Sequence, residues 1–213
     1  MVLSIPGVLY ALVIHEYAHG RVADALGDPT PRASGRLTLD PLPHLDLWGT
    51  LFFVLFRIGW AKPVPIDARH FKNGKRDMVL TALAGPLANL LFSIILFILT
   101  DVIVLIPPLA HIHYLAQIFA LGAMMNIYLA VFNVLPIPPL DGSWLLTTLL
   151  PPHYLDKYLR WQNTAMILLL LVFLFMPSAF SMVLYPPVHF FANLFQQWAA
   201  VLLQPLAGAL HGF

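Results

Sequence analysis

Cysteine is absent from the 213 residues, which excludes disulfides, thiolate nucleophiles and sulfur-ligated metal sites. Any metal held by this chain must be bound through nitrogen and oxygen. Charge is almost as scarce: Asp, Glu, Lys and Arg make up 10% of the residues, against roughly a quarter in an ordinary soluble domain. The formal net charge is +1 and no block of Lys and Arg is interleaved with aromatics, so nothing indicates a nucleic-acid partner. Glutamate occurs once, at position 16. No Gly/Ser linker, low-complexity tract or internal repeat divides the sequence, and a single membrane-embedded domain over residues 1–213 is the simplest organisation.

What is there instead is apolar surface, 60% of the residues. Helix-length apolar segments run over 2–26, 78–106, 115–135 and 161–176, near or above the roughly 20 residues that cross a hydrocarbon core. The expected fold is an all-α polytopic membrane protein with four spans. A fifth arises if the uncharged stretch 188–204 also crosses rather than lying on the surface. The shorter stretch 47–60 contains Arg57 and glycines, so a re-entrant or β-hairpin segment is expected within 47–70. All Lys and Arg residues fall between Arg21 and Arg76 or at Lys157 and Arg160, which places the 27–76 and 151–160 connections in the cytoplasm and the N-terminus outside. The N-terminal apolar run has no basic leader and no A-x-A site, and is read as mature protein rather than as a signal peptide.

The lone glutamate sits in the first apolar segment, in "VIHEYAHG", between His15 and His19. Ionisable groups at membrane depth are costly and mark function. On a helix, positions i and i+4 share a face, so both imidazoles can address one ion while Glu16 lies beside them, in reach of a water activated there. This is the H-E-x-x-H arrangement of zinc hydrolases: two ligands and a general base. A third ligand is needed. His44, His70 and His153 sit in charged or Pro-rich connections and His111 and His113 in an opposite loop, where interfacial roles suit them better. Asp141 lies near the end of "NVLPIPPLDG", where Pro136, Pro138 and Pro139 break a helix, and unwound backbone at depth lines a cavity. Its carboxylate can complete a His, His, Asp set, or it can cap the helix that starts near Ser143. Counting about 1.5 Å per helical residue puts the histidines roughly 10–15 Å from the cytoplasmic face, with Asp141 at a comparable depth.

Three other stretches carry polar groups of interest. "GWAKPVPID" alternates apolar residues with prolines, the composition of an edge strand, and its Lys62 and Val64 are candidates for holding an extended substrate by strand addition; the alternative is an interfacial loop anchored by Trp60 and Lys62. In "LAGPLANLLF", Gly85 and Ala88 permit close helix packing, and Asn89 can donate to a substrate oxyanion or bond a neighbouring helix. Asn126 and Asn133 share a face, and Asn133, next to the Asp141 loop, is the better candidate for lining a site; interhelical bonding is the alternative.

Together, HEYAHG with the continuation Ala23 to Asp28, GWAKPVP, GPLAN and NVLPIPPLDG resemble, in order and spacing, the site-2 protease family of intramembrane zinc metalloproteases. The resemblance spans about two-thirds of the chain. It implies that His15, His19 and Asp141 bind Zn2+, that Glu16 is the catalytic base, and that peptide bonds of transmembrane or signal-peptide-like substrates are cleaved inside a prokaryotic cell membrane, nearer its cytoplasmic side. A PDZ-like insertion and a C-terminal CBS pair, through which other members are thought to select substrates, are not expected here. The competing reading is a metal-binding transporter or catalytically silent binding protein that uses the same pocket.

Overall fold

The computed structural model describes residues 2–56 and 59–211. Its helices are α1 (Ile5–Ala25), α2 (Thr30–Ala33), α3 (Leu47–Phe56), α4 (Gly74–Leu105), α5 (His113–Asn133), α6 (Gly142–Leu149), α7 (Pro152–Arg160), α8 (Gln162–Phe175) and α9 (Pro177–His211). The all-α expectation is met. The β-hairpin in 47–70 is not: among the described residues there is no strand, only an isolated bridge between Leu45 and Ala61 and a bond from the Lys62 N–H to the His44 carbonyl at 2.8 Å. "LWGTLFFVLF" forms the helix α3, which satisfies its own backbone in apolar surroundings. Pro63 and Pro65 then remove the N–H groups that a ladder would need. Arg57 lies outside the described residues.

Among the described residues two helices, α4 and α5, are long and apolar enough to cross a membrane by themselves, and α8 with α9 make a third candidate if the bent pair counts as one broken span. Two or three candidates thus replace the four or five expected. The first segment folds as α1 with 21 residues, but His15, Glu16, His19, Arg21 and Asp24 dilute its apolar character. The segment at 161–176 yields only the 14-residue α8, short of the roughly 20 required. The stretch 188–204 is interior to α9.

The chain forms two compact units. One comprises Met1–Ala11, Asn89–Phe132 and Val172–Phe213. Leu96 and Phe97 of α4, Ala123 and Ile127 of α5, and Val188, Ala192, Phe195 and Ala199 of α9 make its core. Small residues let helices meet there: a Cβ on Gly7 would lie 2.7 Å from the Gly122 Cα, closer than real side chains come. A polar ladder runs through the same packing, with the Asn89 amide donating to the Ala11 carbonyl at 2.9 Å and to Asn126 Oδ1 at 2.7 Å, and the Asn126 amide donating to the Gly122 carbonyl at 2.8 Å.

The other unit comprises Leu12–Ala88 and Asn133–Leu171 and contains the HEYAH, GWAKPVP and PPLDG motifs. Its first helix is stopped by the Ala23 to Asp28 sequence. Gly27 takes φ +110 and lets the Gly27 and Asp28 N–H groups bond the Asp24 and Ala23 carbonyls at 3.2 and 3.0 Å, a Schellman ending. Asp28 is then fully buried, accepting from the Thr30 N–H at 3.0 Å and the Asp67 N–H at 2.7 Å, with His70 Nδ1 at 3.4 Å. Burial pushes this carboxyl up, but the bonds from Thr30 and Asp67 and the neighbouring His70 outweigh it and hold it below the usual aspartate range. Its charged form therefore stabilises the fold at neutral pH, and that stabilisation is lost as pH falls through the lowered value. Asp28→Asn should lower the melting temperature at neutral pH and remove part of the acid-induced loss, read by thermal unfolding in detergent between about pH 7 and pH 3.

Candidate metal centre

His15 and His19 stand one turn apart on α1, 4% and 6% exposed, with ring centroids 4.6 Å apart and planes at 87°. Crossed rings at that spacing turn both Nε2 atoms toward a common point rather than stacking. The third group arrives from the loop after α5. Pro136, Pro138 and Pro139 carry no N–H, and the loop closes on itself through Ile137 to Leu135 and Leu140 to Ile137 bonds of 2.8 Å. The Tyr158 hydroxyl, on α7, lies 3.3 Å from the Pro136 carbonyl and 3.4 Å from the Ser143 carbonyl, on either side of Asp141. A Cβ on Gly142 would fall 1.9 Å from the Val134 carbonyl, so only glycine lets the chain pass there.

Asp141 occupies the N-cap position of α6, yet its side chain makes no cap hydrogen bond. Its carboxylate turns to the histidines instead: Oδ2 lies 3.0 Å from His15 Nε2 and 3.2 Å from His19 Nε2. Oδ2 is buried and has no hydrogen bond of acceptable geometry despite those distances. One ligand atom from each of the three residues lies within 4.8 Å of the other two, and among the described residues this is the group of His and carboxylate donors that could hold a metal. Two imidazole nitrogens and one carboxylate oxygen, converging on one point, suit Zn2+.

The surroundings fit the same ion. His19 Nδ1 is 2.7 Å from the Thr81 carbonyl. A carbonyl can only accept, so Nδ1 carries the proton and Nε2 keeps its lone pair for a metal. Thr81 is itself fully buried on α4 and anchored by its hydroxyl to the Asp77 carbonyl at 2.8 Å. One turn further along α4, a Cβ on Gly85 would lie 2.4 Å from His19 Nε2 and 2.8 Å from His15 Cε1. Gly85 thus makes room for the imidazoles rather than for another helix. Glu16, half-buried, accepts from the Val64 N–H at 2.8 Å through Oε2.

Asn89 belongs to the other unit, and both of its amide hydrogens are engaged by Ala11 and Asn126, which is the interhelical alternative. Asn133 is half-buried at the end of α5. The Val64 side chain is buried and its N–H is taken by Glu16, while Lys62 is exposed with its carbonyl bonded by Arg36. His44 is 1% exposed, with Nε2 at 2.9 Å from the Thr38 carbonyl. Thr81 and Arg36 were not singled out by sequence. Thr81 acts through its backbone, which leaves no trace in residue type, and Arg36 reads as one more charge in a cytoplasmic connection.

The model for peptidase family M50 matches residues 102–177, which include the Asp141 loop. YwhC of Bacillus subtilis, named "Putative zinc metalloprotease", is 34% identical over 202 residues, covering 93% of this chain and 91% of that protein. The chain belongs to peptidase family M50, the site-2 proteases. Rip2 of Mycolicibacterium smegmatis, named in the same words, is 34% identical over 157 residues, 71% of this chain and 59% of that protein. MJ0611 of Methanocaldococcus jannaschii, likewise, is 43% identical over 75 residues, 35% of this chain and 34% of its own length. No solved structure matches. This member of the M50 peptidases therefore combines helices long and apolar enough to cross a membrane with a His15, His19 and Asp141 cluster able to take a metal ion.

Proposed function

We propose that this M50 protease cleaves transmembrane or signal-peptide-like segments of other proteins within a bacterial or archaeal cell membrane, at a site nearer the cytoplasmic side. His15, His19 and Asp141 hold Zn2+ and Glu16 is the general base. The observation that carries this reading is the convergence of His15 Nε2, His19 Nε2 and Asp141 Oδ2, with Glu16 between the two histidines on α1 and held by the Val64 N–H. Held by these three residues, zinc would supply Lewis-acid chemistry for the attacking water and the scissile carbonyl. Glu16, steadied by the Val64 N–H, takes the proton from that water and returns it to the leaving nitrogen. The His19 to Thr81 bond fixes the ring that faces the metal.

A substrate helix must be unwound before its carbonyl can be attacked. In this reading Lys62 and the 61–66 segment hold it extended by strand addition, with Asn133 as a further lining group; Val64 contributes by orienting Glu16. In this reading α1 also enters the bilayer, where coordination offsets the cost of its ionisable residues, and residues 1–213 work as one domain.

Glu16 also separates this function from metal transport, which needs ligands but no base. Natural protein and Glu16→Gln should both retain zinc, and only the natural protein should cleave members of a panel of single-span substrates in liposomes. The expected loss is on the order of 10²- to 10⁴-fold. Zinc-loaded natural protein that cleaves none of them, or a Glu16→Gln variant that cleaves as well, would defeat the proposal.

A further inference from the structure

The Glu16 carboxylate is oriented from a segment distant in sequence. Pro63 and Pro65 flank Val64, so Val64 carries the one N–H in the stretch 63–65, and that N–H meets Glu16 Oε2 at 2.8 Å. Where it points depends on the residue before the first proline. Lys62 is pinned on both sides: its N–H donates to the His44 carbonyl at 2.8 Å, and its carbonyl accepts from Arg36 Nη2. Its own side chain stays exposed.

Arg36 is the unusual member. It is 5% exposed, in a class of residue almost never buried without a charged partner. Its Nε is buried and has no acceptor. Burial lowers its basicity, and the negative charge that opposes this belongs to Glu16. The same carboxylate is reached from Arg36 through two hydrogen bonds, Arg36 to the Lys62 carbonyl and the Val64 N–H to Glu16.

We propose that Arg36 is a positioning residue for Glu16: by fixing the Lys62 carbonyl it directs the Val64 N–H at the carboxylate and holds Glu16 in one orientation beside His15. This rests on the reading of Glu16 as the general base. Arg36 touches neither substrate nor the metal ligands in this scheme. It acts through Lys62 and Val64.

Glu16 is the chain's single glutamate, so protein made by cell-free synthesis with glutamate 13C-labelled at the side-chain carboxyl reports on that group alone. The infrared carboxylate band of the zinc-loaded protein should shift and broaden in Arg36→Met. In the same variant kcat should fall on the order of 10²-fold, with KM changed by less than about 3-fold and zinc content unchanged. Arg36→Lys, which keeps the charge and one donor, should give an intermediate band and an intermediate kcat, and it carries the test alone if Arg36→Met does not fold. In a Val64→Pro background, where the N–H is gone, adding Arg36→Met should cost less than about 3-fold more. An unmoved band in either Arg36 variant, a rise in KM with kcat intact, loss of zinc, or full additivity with Val64→Pro would overturn the proposal. The band is read without turnover, so failure of the general-base reading, shown by an active Glu16→Gln variant, is distinguishable from failure of the positioning role.

Discussion

Replacing Gly85 with alanine is expected to abolish zinc binding and peptide hydrolysis together. The added methyl would sit 2.4 Å from His19 Nε2, 2.7 Å from His19 Cε1 and 2.8 Å from His15 Cε1. Neither ring can retreat cheaply. His19 is tied to the Thr81 carbonyl at 2.7 Å, and both histidines are buried on a continuous helix. The methyl must therefore rotate the rings off their common point or push α4 away, and α4 carries the Thr81 carbonyl that sets the His19 tautomer. Either movement disturbs a ligand directly, so the loss of affinity should exceed the 10- to 100-fold typical of changes to a ligand's supporting partner. Leu87→Ala, on an exposed position of the same helix, is the control and should keep its zinc. Metal content after dialysis and cleavage rate are the two readouts. A Gly85→Ala protein with full zinc but a lower melting temperature would mean that the glycine serves helix packing alone.

Asp141→Asn is expected to have an effect of similar size, and it separates two roles that the sequence leaves open. Asn caps helices about as well as Asp. If Asp141 served only as the N-cap of α6, the variant would keep its stability, its zinc and its activity. The carboxylate makes no cap bond and instead brings Oδ2 within 3.0 and 3.2 Å of the two Nε2 atoms. The neutral amide there removes the anionic ligand and the charge that compensates the metal. Zinc should be lost on dialysis and hydrolysis should fall to background, while helical circular dichroism stays unchanged. Retention of zinc by Asp141→Asn would return the residue to capping.

The part of the site built from side chains at fixed helical spacing was legible in the sequence. His15, Glu16 and His19 announce themselves because i, i+4 geometry is a property of any helix, and Asp141 because prolines mark a break where an acidic residue needs a reason. What was not legible acts through backbone or through vacancy. The Thr81 carbonyl, the Val64 N–H and the room that Gly85 leaves for the imidazoles depend on which helices meet, and no residue type encodes that. Gly85 and Asn89 illustrate the difference within one motif: both read as packing or polar groups inside a helix, but one clears space for imidazoles and the other bonds Ala11 and Asn126. The hairpin expected in 47–70 failed for a related reason. Alternation with prolines suggests an edge strand, but each proline removes an N–H, and the Val64 N–H left between two of them is taken by Glu16. The span count was overread because ionisable residues dilute the apolar character of α1 and the segment at 161–176 yields only the 14-residue α8.

Zinc X-ray absorption of the purified protein, taken beside His19→Ala, tests the central claim most directly. The natural protein should show a first shell of nitrogen and oxygen alone at about 2.0–2.2 Å, with the outer-shell scattering of two imidazole rings. His19→Ala should lose one ring or the zinc altogether. A natural protein with no imidazole signature, or a His19→Ala spectrum identical to it, would contradict the assignment of the metal to His15, His19 and Asp141.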